Sequence, residues 1–338
     1  MAQRVLVVVL CLAAAQSAFA LELRLLMAWD QSYPGVKHLA ERYARKVAEA
    51  SANEVTFTLT GPGAIPAFEQ LPAVELGIFD LLLTHGAFHV DAQPLALALD
   101  AIAAEPEILR GTGVWEVIDR AYQARGLKLL ALPVAATGYQ LYLRAPIGPD
   151  CDLNGRVIRA APVYAQVVAM LGARALALPI GEVHAALADL RLDGVAWSSV
   201  GSLPYRWYEV SRYLMRPTFG SVTHLLLMHL ATWRQMPLDL QQMLLEQGVK
   251  LETKAYKRFK KVAAAEQNEL NVAGMQVTNL CPEKTDALAR AWAEGVWRLA
   301  VERGGQAALD LRTLAAEHGL TPAAADTAKV SSGPAVTR

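Results

Sequence analysis

The 338-residue chain has no excess of charge of either sign: 32 Lys and Arg stand against 32 Asp and Glu. Without a basic stripe, nothing favours nucleic acid or an anionic membrane surface as a partner. Cysteine is scarce. There are three, and one of them, Cys11, sits inside an apolar N-terminal run. That run, residues 5–15, is too short to span a bilayer, and no later stretch reaches the necessary length without charges. No nucleophile elbow, phosphate-binding glycine loop or zinc motif occurs, so no cofactor, metal or enzyme chemistry is signalled. Internal repeats are also missing. What is abundant is apolar residues, 54% of the chain, enough to bury a sizeable core divided over two lobes.

The first twenty residues have the three parts of a secretory signal: Arg4, the apolar run, and Ala18-Phe19-Ala20 as a small-x-small cleavage site. The expected mature chain therefore starts at Leu21, exported and unanchored; a retained membrane anchor is the alternative. Leu10, just before Cys11, departs from the small residue that a lipoprotein signal needs. Removing residues 1–20 takes away Arg4 and leaves 31 basic against 32 acidic residues. Two cysteines remain, Cys151 and Cys281, an even pair that an oxidising compartment permits to bond. Spacing alone leaves open whether their Cα atoms approach closely enough.

Residues 150–199 organise the reading of the chain. Residues 156–159 read as a short strand halted by Ala160-Ala161-Pro162, and residues 163–171 as a helix closed by Gly172. Residues 175–178 form a second strand. Pro179-Ile180-Gly181-Glu182 turns into a helix reaching about Leu190, and Asp193-Gly194 turns into a third strand over 195–198. Strands alternating with short helices imply a parallel α/β sheet, which binds ligands beyond the carboxyl ends of its strands. Arg159 sits at such an end. Its planar fork suits a carboxylate, giving two charge-assisted hydrogen bonds where an ammonium gives none so aligned. A surface or interface salt bridge is the competing role.

These same residues carry a resemblance. Asp152-Leu153-Asn154-Gly155-Arg156-Val157-Ile158-Arg159, then Gly172-Ala173, Pro179, Glu182-Val183-His184, Ala186-Leu187 and Asp193-Gly194, resemble the core motif of TRAP-transporter solute-binding proteins. These are the periplasmic receptors of tripartite ATP-independent transporters. Their pattern runs Asp-Leu-x-Gly-x-Lys-x-Arg, Gly-Ala, Glu-Val-Tyr-x-Ala-Leu, Asp-Gly. The resemblance extends more loosely from about Leu21 to Gly319, with His184 in place of the usual tyrosine. It implies an α/β fold of two lobes forming a periplasmic binding-protein clamp, with hinge-crossing strands and a long bracing helix. It also implies that Arg159 is the carboxylate-binding arginine.

Taken in order, residues 21–27 read as the first strand and residues 29–35 as a loop holding Trp29 and Tyr33. A helix over 36–50 and a strand over 55–59 follow, then a helix over 69–76 and a buried strand over 79–83 that ends at Thr84-His85-Gly86. In the family such a strand end faces the ligand. His85 and His89, four apart, raise a metal site, but Gly86 spoils a shared helical face and no carboxylate completes the set. His85 is then either a pocket wall or a satisfied structural histidine. A helix over 113–124 and a strand over 127–133 precede Thr137-Gly138-Tyr139-Gln140. Many family members have a second arginine where this chain has Gln140, and an asparagine where it has Trp197. Trp197 is either an aromatic face for ligand or a core ring.

Residues 205–210 resemble the family's aromatic-Tyr-Glu-Val segment. A strand over 222–229 and one long helix from Asp239 to about Leu270 follow, then a strand over 275–280 and a helix over 283–303. The implied lobes are residues 21–137 with about 225–264, and 138–224 with about 265–320; residues 321–338 read as a disordered tail. The candidate ligand residues are Arg159, Trp197, Gln140, Trp29, Tyr33, Thr84, His85 and Ile180. The resemblance implies a non-enzymatic receptor for a small organic acid, working with membrane permease subunits. Losing two polar recognition groups points to a monocarboxylate with an apolar or aromatic body. Alternatives are the binding protein of an ABC importer or a sensor, and an exported α/β hydrolase.

Overall fold

The computed structural model describes residues 21–102 and 104–322. The expected signal segment and residues 323–338 of the expected tail lie outside them. Thr321, at the start of that tail, is buried, and its hydroxyl accepts from Trp297 Nε1 at 2.8 Å. In chain order the strands are β1 (Leu21–Met27), β2 (Val55–Thr60), β3 (Leu81–His85), β4 (Leu127–Ala131), β5 (Val134–Ala135) and β6 (Tyr139–Leu143). Next come β7 (Val157–Arg159), β8 (Arg174–Leu176), β9 (Gly194–Ser198), β10 (Tyr213–Arg216), β11 (Val222–His229) and β12 (Gln276–Asn279).

They form two sheets, as the resemblance implied. One has the order β2-β1-β3-β11-β4 with β5 also on β11; the other has the order β12-β10-β6-β9-β7-β8. The stretch over 150–199 is parallel as expected, β7 lying between β8 and β9. The sheets as wholes are mixed. β11 runs antiparallel to β3 and β4, and β6 runs antiparallel to β9 and β10. The reason is the crossing: a strand returning from the other sheet enters its new sheet from the opposite end.

The crossings occupy residues 136–138 and 217–221, between β5 and β6 and between β10 and β11. They touch each other. Tyr139 and Phe219 exchange backbone hydrogen bonds of 2.8 and 2.9 Å, and a Cβ on Gly138 would stand 2.4 Å from the carbonyl oxygens of Phe219 and Gly220. Only glycine fits there, at φ 61°.

Hydrophobic alternation decides what the second sheet covers. Leu141, Leu143 and Ile158 join the large core that also holds β1, β3 and β11. From the opposite face Tyr142, Val195 and Leu214 join Trp207 and Leu270 in a smaller core. Both faces of β6 are therefore covered, and all five of its residues are buried.

The helix Leu238–Val272, 35 residues long, braces both halves. Its buried Glu252 accepts from Arg110 Nε at 2.7 Å and from the Leu132 amide at 2.6 Å, in the first half. Its buried Glu266 accepts from the Gly201 and Ser202 amides, both at 2.7 Å, in the second. The last helical stretch, Thr285–Glu317, runs past the expected end at Arg303 and kinks at Gly305. Cys151 and Cys281 form a disulfide with Cα atoms 5.8 Å apart.

Candidate functional site

Arg159 is the last residue of β7, where the chain turns away through Ala160 to Pro162. It pairs with Val195 of β9, so its side chain shares the face of the smaller core and lies at that core's edge. The guanidinium stands over the Trp197 ring, 5.6 Å from its centroid, and Nε donates to the Leu178 carbonyl at 3.0 Å. Nη1 is buried and has no hydrogen-bond partner. The charges acting on Arg159 come from the Tyr164 and Tyr205 hydroxyls and from no carboxylate; burial lowers its pKa. A cation has thus been partly withdrawn from water without a counter-ion among the described residues, an arrangement that an anion arriving from outside would relieve.

Aromatic rings build the surroundings. Trp197 meets Tyr205 edge-on at 5.5 Å and Trp207 at 5.8 Å, while Tyr205 stacks on Trp207 at 4.8 Å. Ile180 and Leu178 pack against the same core. Burial first, and then the charge of Asp30, raise the Tyr205 hydroxyl above its usual range. Asp30 belongs to the loop after β1, so that loop faces Tyr205 from the other sheet.

In the same loop Trp29 stacks with Tyr33 at 4.8 Å and lies 5.4 Å from both Phe88 and His224. Tyr33 also covers the turn after β9, where a Cβ on Gly201 would lie 3.0 Å from its ring. His224 Nδ1 faces the Pro133 carbonyl at 3.2 Å, so that nitrogen carries the hydrogen. Nε2 then accepts from the Tyr33 hydroxyl at 2.7 Å. Burial pushes His224 down to about 3, leaving a neutral ring.

Seven of the eight predicted residues thus fall into three groups, with Gln140 apart. Arg159, Trp197 and Ile180 gather on the second sheet's side, and Trp29 and Tyr33 on the first. Thr84 and His85 end β3, fully within the first half. Thr84 Oγ1 is buried without a partner. His85 has both nitrogens engaged: Nδ1 accepts from the Ala87 amide at 3.1 Å and Nε2 bonds Asp100 at 2.9 Å. Asp100, itself buried, also accepts from the Tyr139 hydroxyl at 2.6 Å and the Thr223 amide at 3.0 Å. Such a network is what the structural of its two readings expects. Gln140 opposes Trp197 in register, but its amide donates to the Tyr142 hydroxyl at 2.6 Å and accepts from Arg216 at 2.5 Å.

Sequence reasoning missed Tyr205, Trp207 and Tyr164 as neighbours of the arginine. The dense run Tyr205-Arg206-Trp207-Tyr208 was a visible signal. Tyr164 gave none, since its approach to Arg159 depends on the helical turn between them.

Comparison with known proteins adds the following. Residues 34–302 match the family described as bacterial extracellular solute-binding protein, family 7. A monocarboxylate 2-oxoacid-binding periplasmic protein of Nostoc sp. is 25% identical over 187 residues, 52% of this chain; the match spans 50% of that protein's length. A TRAP periplasmic solute-binding protein from Desulfovibrio salexigens, solved with orotic acid, superposes with a TM-score of 0.73 at 21% identity, covering 88% of this chain and 97% of that one. An extracytoplasmic solute receptor of Bordetella pertussis that binds pyroglutamic acid gives 0.69 at 15% identity, with 86% and 99% covered.

Proposed function

Because the chain belongs to family 7 of the bacterial extracellular solute-binding proteins, we propose that it is the periplasmic receptor of a tripartite ATP-independent transporter and captures a small organic acid between its two halves. The family consists of binding proteins, not enzymes. One observation carries the reading of the ligand: the Arg159 guanidinium is largely withdrawn from water, with Nη1 unpartnered and no carboxylate acting on it. A carboxylate bound there takes two parallel hydrogen bonds and restores neutrality.

The ligand body then meets aromatic rings. Trp197 and Tyr205 form one wall, and Trp29 and Tyr33 stand on the opposing loop. Such walls favour an apolar or aromatic monocarboxylate, since a second carboxylate beside them lacks a cation and its burial is costly. The 2-oxoacid, orotate and pyroglutamate named for the similar proteins all carry one carboxylate. Binding draws the halves together by bending at residues 136–138 and 217–221. Permease subunits receive the closed form.

A thermal-shift screen of the purified protein against mono- and dicarboxylates tests this. A ligand that binds only the folded state raises the melting temperature by mass action. Stabilisation by 2-oxo or aromatic monocarboxylates is the expected result. Tight binding of C4-dicarboxylates with no response to monocarboxylates refutes the ligand class, and a response to no organic acid refutes the receptor reading.

A further inference from the structure

Behind the aromatic site lies a second arginine in similar need. Arg216, the last residue of β10, is half-buried and, among the described residues, paired only with neutral acceptors. Its Nη1 donates to Gln140 Oε1 at 2.5 Å and to its own neighbour's carbonyl, Met215 O, at 2.8 Å; Nη2 donates to Gln267 Oε1 on the long helix. The one group whose charge offsets its burial is the Tyr142 hydroxyl, not a carboxylate. Arg216 opens on a cavity of about 260 Å³ whose polar lining is Thr137, Gln140, Ser199, Arg216, Thr218 and Gln267. Thr137 Oγ1, in that lining, is buried without a hydrogen-bond partner. Neither Arg159 nor Trp197 contributes to this wall.

We propose that this cavity is a second anion site, separate from Arg159, that takes a compact oxyanion such as a carboxylate or inorganic phosphate. The space holds such an ion with several waters, each of which occupies about 30 Å³. The amide NH₂ groups of Gln140 and Gln267, which donate to the Tyr142 hydroxyl at 2.6 Å and to Asn271 Oδ1 at 2.8 Å, each keep a second hydrogen for an anion once the guanidinium turns from their oxygens to it. Thr137 and Thr218 sit on the two crossings, and Gln267 on the bracing helix. An occupant therefore ties together the segments that must move when the halves close, so it biases closure without touching the solute.

The test uses inorganic phosphate at constant ionic strength, read by thermal shift on the wild-type chain, Arg216→Met, Gln267→Glu and Arg159→Ala. Phosphate raises the melting temperature of many proteins a little through exclusion from the surface, without saturating. A saturable rise in wild type and Arg159→Ala, weakened at least tenfold in Arg216→Met, is the expected pattern. Gln267→Glu, nearly isosteric, places a carboxylate against Arg216 and removes the same response, so the proposal stays testable even if Arg216→Met folds poorly. Equal responses in wild type and Gln267→Glu overturn it. A response lost in Arg159→Ala but kept in Gln267→Glu also overturns it, by locating the anion at the aromatic site and leaving the proposed function intact.

Discussion

Replacing Arg159 separates binding from folding, and the two effects have different signs. In the unliganded protein the guanidinium makes one hydrogen bond, to the Leu178 carbonyl at 3.0 Å, leaves Nη1 buried and unpartnered, and faces the Trp197 ring. Losing the hydrogen bond costs roughly 0.5–1.5 kcal/mol. Relieving a largely buried, unpaired charge returns a comparable amount, since replacing such ions with apolar groups of similar volume is often neutral or stabilising. Arg159→Met, which keeps the packing over Trp197, should therefore melt at or above the wild-type temperature without ligand. Binding should fall steeply. Two charge-assisted hydrogen bonds to a carboxylate contribute about 1.5–3 kcal/mol each. Even a single one at the upper value corresponds to on the order of a hundredfold in Kd. Arg159→Ala and Arg159→Met should both lose that much, and Arg159→Lys should also bind poorly, because it keeps the charge but not the fork. Calorimetry with the acid found by screening, beside circular dichroism melts of each variant, reads both quantities. Wild-type affinity in Arg159→Ala refutes the anchor role. Unfolding of Arg159→Met refutes the charge argument, since the residue would then be holding the fold.

Trp197→Ala removes the ring beneath the guanidinium; a cation–π contact of about 1–2 kcal/mol gives roughly a tenfold loss of affinity, and calorimetry showing no change would make Trp197 a plain core ring. The Cys151–Cys281 bond closes a loop of 130 residues, so the double serine variant should lose on the order of 4–5 kcal/mol of stability by the chain-entropy account. Urea unfolding that is unchanged in that variant contradicts it. His89 and His224 are both pushed down to about 3 by burial, whereas the unfolded chain protonates histidine near 6.5. Protons thus bind the unfolded state first, so stability is intact above about pH 6.5 and drains away as pH falls toward 3. At pH 4.5 each histidine should withdraw roughly 2–3 kcal/mol, and equal urea midpoints at pH 7 and 4.5 would sink this reading.

Elements whose burial is one-sided or whose pattern is long were legible. β1 and β11 fall on the residues that alternation and apolar content marked, and the bracing helix extends only two residues beyond the expected Leu270. β6 escaped notice because both of its faces are covered, so Tyr139 to Leu143 show no alternation. β10 has four residues, too few for any period. Among the candidate ligand residues, Arg159 stood out in the sequence because a contiguous motif surrounds it. The contact between His85 and Asp100 was not legible, because it comes from how β3 packs and not from neighbours in the chain. The contact of Gln140 with Arg216 was hidden for a related reason: the partner lies 76 residues on, brought alongside by the pairing of β10 with β6.

The two buried glutamates of the long helix have a mechanical meaning. Glu252 is held by a guanidinium and an amide of the first half, Glu266 by two amides of the second. Fourteen residues of helix set the pins about 21 Å apart. Withdrawing either carboxylate would strand a buried charge, so neither half can slide along the helix. Shear is thereby forbidden, and rotation about the strut is what remains. The helix becomes a ruler built into the receptor: spin labels at the exposed positions Val249 and Asn268 should keep one separation through the whole cycle, while labels facing each other across the cleft draw together.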